Sequence, residues 1–179
     1  IKLSKKLSRI GLDRIQIREK NIPKNKLRNF IKKMKDSTDE TCKLILNGNF
    51  DLAVEYKLNG VHFPEKYPIT KKFSTKNLII GRSIHENTKL TNDHNNFDYF
   101  HLGPIFTTLS HPNGKTVDEE NISYITKKLS NIVLVGGINK NNAKKLLKYN
   151  FSGIAVMREL LLSTNPEETF LDLKEKINE

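Results

Sequence analysis

The sequence predicts an α/β fold on a parallel sheet, closed as a (β/α)8 barrel, and three observations predict it. Short apolar segments recur along the 179 residues, most of them continuous rather than alternating, as strands covered on both faces require. Stretches with helical apolar spacing lie between them, and alternation of strand and helix means parallel strands joined by crossovers. No G-x-G-x-x-G loop is present, which weighs against an open doubly wound sheet, the competing architecture. Seven strand candidates preceded by a helix leave a (β/α)8 barrel one strand short. The first strand is therefore expected upstream of Ile1, where a Met would otherwise stand. No linker or low-complexity segment marks a second domain, so residues 1–179 are expected to form a single barrel domain.

The strand candidates are 15–17, 43–46, 60–63, 78–80, 99–106, 132–135 and 153–156. The first crossover, 22–35, places Leu27, Phe30, Ile31 and Met34 on one helical face. Residues 50–57 do the same with Leu52, Ala53 and Tyr56, and 118–129 with Ile122, Ile125 and Leu129. The spacing of Ala143, Leu146 and Leu147 predicts a helix over 139–148, and one of two readings of Ser83 makes it the N-cap of a helix through Leu90. Pro166 reads as the first position of a last helix ending near Ile177.

Charge is uneven. The chain carries 31 Lys+Arg and 20 Asp+Glu, a net +11. Residues 1–36 alone hold thirteen basic and three acidic residues. Such a segment is either a nucleic-acid surface or a solvated pair of helices; the absence of any zinc-finger, RRM or basic-zipper pattern weighs against nucleic acid. One cysteine, Cys42, excludes an internal disulfide framework and a cysteine-based zinc site. No apolar run approaches the roughly 20 residues that span a bilayer. With no membrane segment and no leader in view, the expected location is cytoplasmic.

In a parallel barrel the chemistry lies where strands end and loops begin. After 15–17 the alternation puts Gln16, Arg18 and Lys20 on one side, where two cations ask for an anion or for pairing with Glu19 or Asp13. Asn47 either holds a ligand or caps the next helix. His62, within 60–63, reads as a structural histidine. Ser83 is a hydrogen-bonding residue or a helix cap. Gly103 and Pro104 lead into a hydroxyl-rich loop with Thr107, Thr108, Ser110 and His111, suited to folding over a ligand or simply solvated. Gly136 and Gly137 allow backbone N–H groups to approach an anion, with Asn139 as the cap of the following helix. Met157 and Arg158 begin the turn after the last strand, and loops after the last two strands of such barrels commonly bind phosphate.

These segments together resemble the thiamine phosphate synthase/TenI family. The matching stretches are IQIREK (15–20), LILNG (44–48), GVHF (60–63), IIGRS (79–83), GPIFTT (103–108), VGGIN (135–139) and GIAV (153–156), in the family's order from Leu12 to Leu161. The resemblance implies a (β/α)8 barrel and a synthase that couples hydroxymethylpyrimidine diphosphate to thiazole phosphate with release of diphosphate. It implies that Arg18, Lys20 and Asn47 contact diphosphate, and that Gln16 and Ser83 surround the pyrimidine. It places Thr108, Ser110 (where a second Thr is usual) and Gly137 at the thiazole phosphate. Four departures stand against it. The two Asp residues that hold Mg²⁺ in the synthases are Gly48 and Tyr67 here, and the loop Lys is His111. The Ser beside the last phosphate contact is Arg158.

No protein metal site is therefore expected; Mg²⁺ would come through the diphosphate, with Glu65 or Asp51 as substitute ligands. Intact Gln16, Arg18, Lys20 and Asn47 favour a divergent synthase. Gly48 and Tyr67 favour a metal-free TenI-like thiazole tautomerase, using His111 or His101 as its acid or base. The reading from a different class is a non-catalytic binder of thiamine precursors. The expected partners are phosphorylated thiazole and pyrimidine small molecules, without membrane or nucleic acid; a homo-oligomer stays open.

Overall fold

The computed structural model describes residues 1–19, 21–67, 77–108, 112 and 114–178. Among the described residues, seven strands follow one another in the sheet in chain order, as parallel strands joined by crossovers do. The chain divides into two compact units, Ile1–Gly81 and Arg82–Glu179.

In the first unit, α1 (Lys2–Arg9) turns Leu7 and Ser8 inward. It presents Lys2, Lys5, Lys6 and Arg9 outward, on the solvated face that their i, i+3, i+4, i+7 spacing dictates. The Ser8 hydroxyl donates to the Lys5 carbonyl at 3.2 Å and accepts from the Asp39 N–H at 3.0 Å. Helix α2 (Lys24–Ser37) follows Pro23 and buries Ile31 and Met34, two of the four residues expected on its inner face. Three strands pair in parallel: β1 (Arg14–Ile17), β2 (Lys43–Asn47) and β3 (Gly60–Phe63). Leu44, Ile45, Leu46, Val61 and Phe63 are all buried, which is why these strands read as continuous apolar runs.

Helix α3 (Phe50–Glu55) is capped by Asn49, whose side chain accepts from the Leu52 N–H at 3.1 Å. The capping role open to Asn47 thus belongs to Asn49. The helix stops short of residue 57 because Lys57 takes a left-handed φ of 49°.

Strand β4 (Ile79–Ile84) spans the junction of the units. Of the two readings of Ser83, the helix cap is excluded: Ser83 lies inside β4, and the next helical turn is a 3₁₀ segment, Asn92–Asn96. In the second unit β5 (Tyr99–Leu102), β6 (Ile132–Val135) and β7 (Gly153–Ala155) pair in parallel. Strand β5 ends at Leu102, well before residue 106, where Pro104 offers no N–H to a ladder. Helix α4 (Glu119–Lys128) is capped by Asp118 on the Asn121 N–H at 2.7 Å and buries Ile122 and Ile125. The helix expected over 139–148 is only a 3₁₀ turn, Ala143–Leu146. A short α5 (Arg158–Leu161) and the final α6 (Pro166–Asn178) complete the unit, with Pro166 at the first helical position as expected. No helix among the described residues is long and apolar enough to cross a membrane.

Candidate functional site

The candidate residues fall into two sets, one in each unit. In the first unit, Gln16 is the third residue of β1 and is partly buried. Its Oε1 is fully buried and meets no hydrogen-bond partner among the described residues. A buried amide oxygen without a donor costs about 1–3 kcal/mol. Arg18 follows the end of β1 and is exposed. Lys20 lies outside the described residues.

Asn47 ends β2 in register with His62 and is partly buried, its side chain released from capping by Asn49. His62 is 1% exposed within β3, in keeping with a structural role. Gly48 adopts φ +74° and donates its N–H to the His62 carbonyl at 2.8 Å. A left-handed turn there favours glycine, and the turn offers no carboxylate. The Tyr67 ring stacks on Phe63 with centroids 4.2 Å apart, so this position serves packing. Asp51 is exposed in the first turn of α3, where a carboxylate suits the helix end. Among the described residues no group of three or more His, Cys, Asp or Glu is arranged to hold a metal ion. The residues at the two places where the family's aspartates stand do not fit a Mg²⁺ site, because hard cations need oxygen ligands.

In the second unit two loops are built together. The Ile105 N–H donates to the Val135 carbonyl and the Phe106 N–H to the Gly136 carbonyl, both at 3.0 Å. Gly136 and Gly137 have φ of +101° and +66°. A Cβ at Gly136 would lie 2.6 Å from the Pro104 Cβ, and one at Gly137 would lie 2.5 Å from the Thr107 carbonyl oxygen. Both glycines are therefore required by backbone conformation and by the loop packed against them. Thr107 is exposed and Thr108 partly buried on that loop; Ser110 and His111 lie outside the described residues.

Beyond Gly137 the asparagines organise the chain. Asn139 does not cap a helix; its Oδ1 accepts from the Asn141 N–H at 2.9 Å. Asn142 uses both ends of its amide, accepting from the Asn139 N–H and donating to the Gly137 carbonyl, each at 2.9 Å. Glu159 accepts from the Lys140 N–H at 3.1 Å and ties this loop to α5. Such local side-chain bonds compete with helix formation, and they explain why 139–148 shrinks to one 3₁₀ turn. Met157 is 63% exposed, and Arg158 begins a helix of only four residues. What the turn offers is a short helix begun by Arg158, which is too brief to supply a long helix dipole.

Ser83 is partly buried within β4. His101 stands inside β5 with its ring edge-on to Tyr99 at 5.3 Å. Sequence reasoning missed Asn142 and Glu159, although the Asn-Lys-Asn-Asn run was a visible turn signal. It also missed a polar cavity of about 440 Å³ lined by Glu86, Pro112, Gly114, Lys115, Thr116 and Asp118. Glu86 forms its wall, accepting from the Asp118 N–H at 3.0 Å and the Asn121 amide at 2.8 Å.

Comparison with known proteins gives a consistent picture. The family model described as thiamine monophosphate synthase matches residues 1–160. The thiamine-phosphate synthase of Clostridium tetani is 32% identical over 159 residues, covering 84% of this chain and 75% of that protein. The corresponding protein of Clostridium botulinum strain Loch Maree is 35% identical over 162 residues, covering 84% and 77%. The solved thiamine phosphate pyrophosphorylase from Pyrococcus furiosus superposes with a TM-score of 0.86 at 25% identity, covering 99% of this chain and 88% of that one.

Proposed function

Because the chain belongs to the thiamine monophosphate synthase family, we propose that it is a thiamine-phosphate synthase acting on hydroxymethylpyrimidine diphosphate and thiazole phosphate. A carbon–nitrogen bond forms between the pyrimidine methylene and the thiazole nitrogen as the carbon–oxygen bond to diphosphate breaks. The diphosphate leaves with the bonding pair. The fold reading that goes with this is a (β/α)8 barrel.

The observation that carries the proposal is the Gly136–Gly137 loop, held by hydrogen bonds on its carbonyls and closed to any side chain by its packing. Such a loop offers N–H groups to an anion at no cost in reorganisation. We assign the thiazole phosphate to Gly136, Gly137, Met157 and Arg158, with the hydroxyls of Thr108 and Ser110. Arg18 and Lys20 grip the leaving diphosphate, and Asn47 hydrogen-bonds it. Gln16, whose buried Oε1 awaits a donor, and Ser83 contact the pyrimidine, which carries an amino group. His111 adds a cation on the loop when protonated. Mg²⁺, where used, arrives with the diphosphate and not on a protein carboxylate pair. Phosphorylated substrates of this kind support a cytoplasmic location.

Gly48 and Tyr67 favour a second reading, a metal-free thiazole tautomerase with His111 or His101 as acid or base. The two separate in one experiment on one preparation: thiamine phosphate formation from both substrates, and isomerisation of the thiazole phosphate tautomer alone. Synthesis without isomerisation supports the proposal, isomerisation without synthesis supports the tautomerase, and silence in both leaves a binder.

A further inference from the structure

We infer that Asn142 is a positioning residue that aims one particular backbone N–H, that of Ile138, at the bound phosphate. This rests on the phosphate reading of the Gly136–Gly137 loop. The C=O and N–H of a trans peptide point in opposite directions, and only Gly103–Pro104 is cis among the described peptides. Holding a carbonyl therefore fixes where the partner N–H points.

Two successive peptides are held in this way by different groups. The Gly136 carbonyl accepts from the Phe106 N–H at 3.0 Å, which turns the Gly137 N–H away from the Pro104–Thr107 loop. The Gly137 carbonyl accepts from the Asn142 Nδ2 at 2.9 Å, with the Asn139 Nδ2 at 3.4 Å as a weaker second donor. That turns the Ile138 N–H away from Asn142. No described residue accepts from either N–H. Asn142 is suited to this because its Oδ1 is itself held by the Asn139 N–H at 2.9 Å. Its amide bridges the residues on both sides of Ile138, and Glu159 holds the Lys140 N–H next along the chain. Successive N–H groups pointed outward in this manner form an anion-binding concavity. The two donors are independently supported, Gly137 by backbone and Ile138 by a side chain.

The test is a titration of the ¹⁵N-labelled chain with inorganic phosphate, read at the Gly137 and Ile138 amides. In the wild type both amide protons move downfield. In Asn142→Ala the Gly137 response is retained and the Ile138 response falls by at least half at saturation, with phosphate affinity weakened about tenfold, the equivalent of one charge-assisted hydrogen bond. Should that variant not fold, Asn142→Asp carries the test at the two amide responses alone, since it keeps the acceptor for the Asn139 N–H and loses the donor to Gly137, while its added negative charge by itself weakens phosphate affinity. An Ile138 response equal to that of the wild type in the variant overturns the role of Asn142 and leaves the phosphate reading standing. Failure of phosphate to move either amide in the wild type removes the phosphate reading, and this inference with it.

Discussion

The strand ends of the first unit and the loops of the second are organised in opposite ways. Around Gly136 and Gly137 each carbonyl has its donor, and the asparagines beyond bond one another and the backbone. Around β1 and β2 the equivalent groups are unsettled: Gln16 has a buried oxygen without a donor among the described residues, and Arg18 stands exposed. One set is pre-organised by backbone; under the proposed reading the other is completed by the charge and donors of its ligand. The difference teaches where substitutions should act. Changes in the second unit should damage binding through shape, and changes in the first should damage turnover through charge.

The largest expected effect is at Gly137. Its φ of +66° and the Thr107 carbonyl 2.5 Å from any Cβ leave no room for a side chain. Gly137→Asp should abolish binding of phosphorylated thiazole, measured by calorimetry; unchanged affinity would refute the assignment. Arg18→Ala comes next, as the counterpart in the first unit. We expect kcat/KM for synthesis to fall about a hundredfold, the scale of one donor removed from charge that develops in the transition state. Stability should move by no more than about 0.5 kcal/mol, because Arg18 is exposed. A large loss of stability with normal turnover would reverse the contrast between the units.

His111→Lys should have a smaller effect of opposite sign. The imidazole is charged only toward acidic pH, so synthesis by the wild type should improve in mildly acidic buffer. The lysine variant should be several-fold faster at neutral pH with a flatter profile, since about 1 kcal/mol of charge stabilisation corresponds to several-fold in rate. If His111 is instead the acid or base of a tautomerase, the same variant loses isomerisation.

The smallest effect concerns the interior of the first unit, which is as settled as that of the second. Burial, with the charges of Asp13 and Asp39, pushes the Cys42 thiol up to about 11. A raised value means that the folded state holds the neutral thiol. Its contribution to stability is complete below the ordinary thiol range and is lost as pH rises toward about 11. Urea midpoints of the wild type and Cys42→Ala should therefore run parallel up to about pH 8 and converge above it. Parallel curves up to pH 11 would show an exposed thiol.

The strands were legible because each is short and apolar: 60–63 coincides to the residue with β3, buried along its whole length, and 132–135 with β6, buried at every second residue. The misreadings occurred where local polar bonding overrode periodicity. Ala143, Leu146 and Leu147 have helical spacing, yet Asn139 and Asn142 bond the backbone before them and leave one 3₁₀ turn. Asn47 and Asn49 are equally good caps by composition, and only the chain direction after Gly48 chooses Asn49. The glycines were legible as a loop of unusual backbone, and both take a left-handed φ. That the Pro104–Thr107 segment demands them could not be read, because that contact joins residues about thirty apart in sequence.

The measurement that bears most directly on the central claim is formation of thiamine phosphate by the purified chain from hydroxymethylpyrimidine diphosphate and thiazole phosphate, with Mg²⁺ present and absent and with Arg18→Ala beside the wild type. The account predicts thiamine phosphate and an equal amount of released diphosphate from the wild type, and about one hundredth of the rate from the variant. No product from the wild type under either condition, or equal rates from the two proteins, would contradict it.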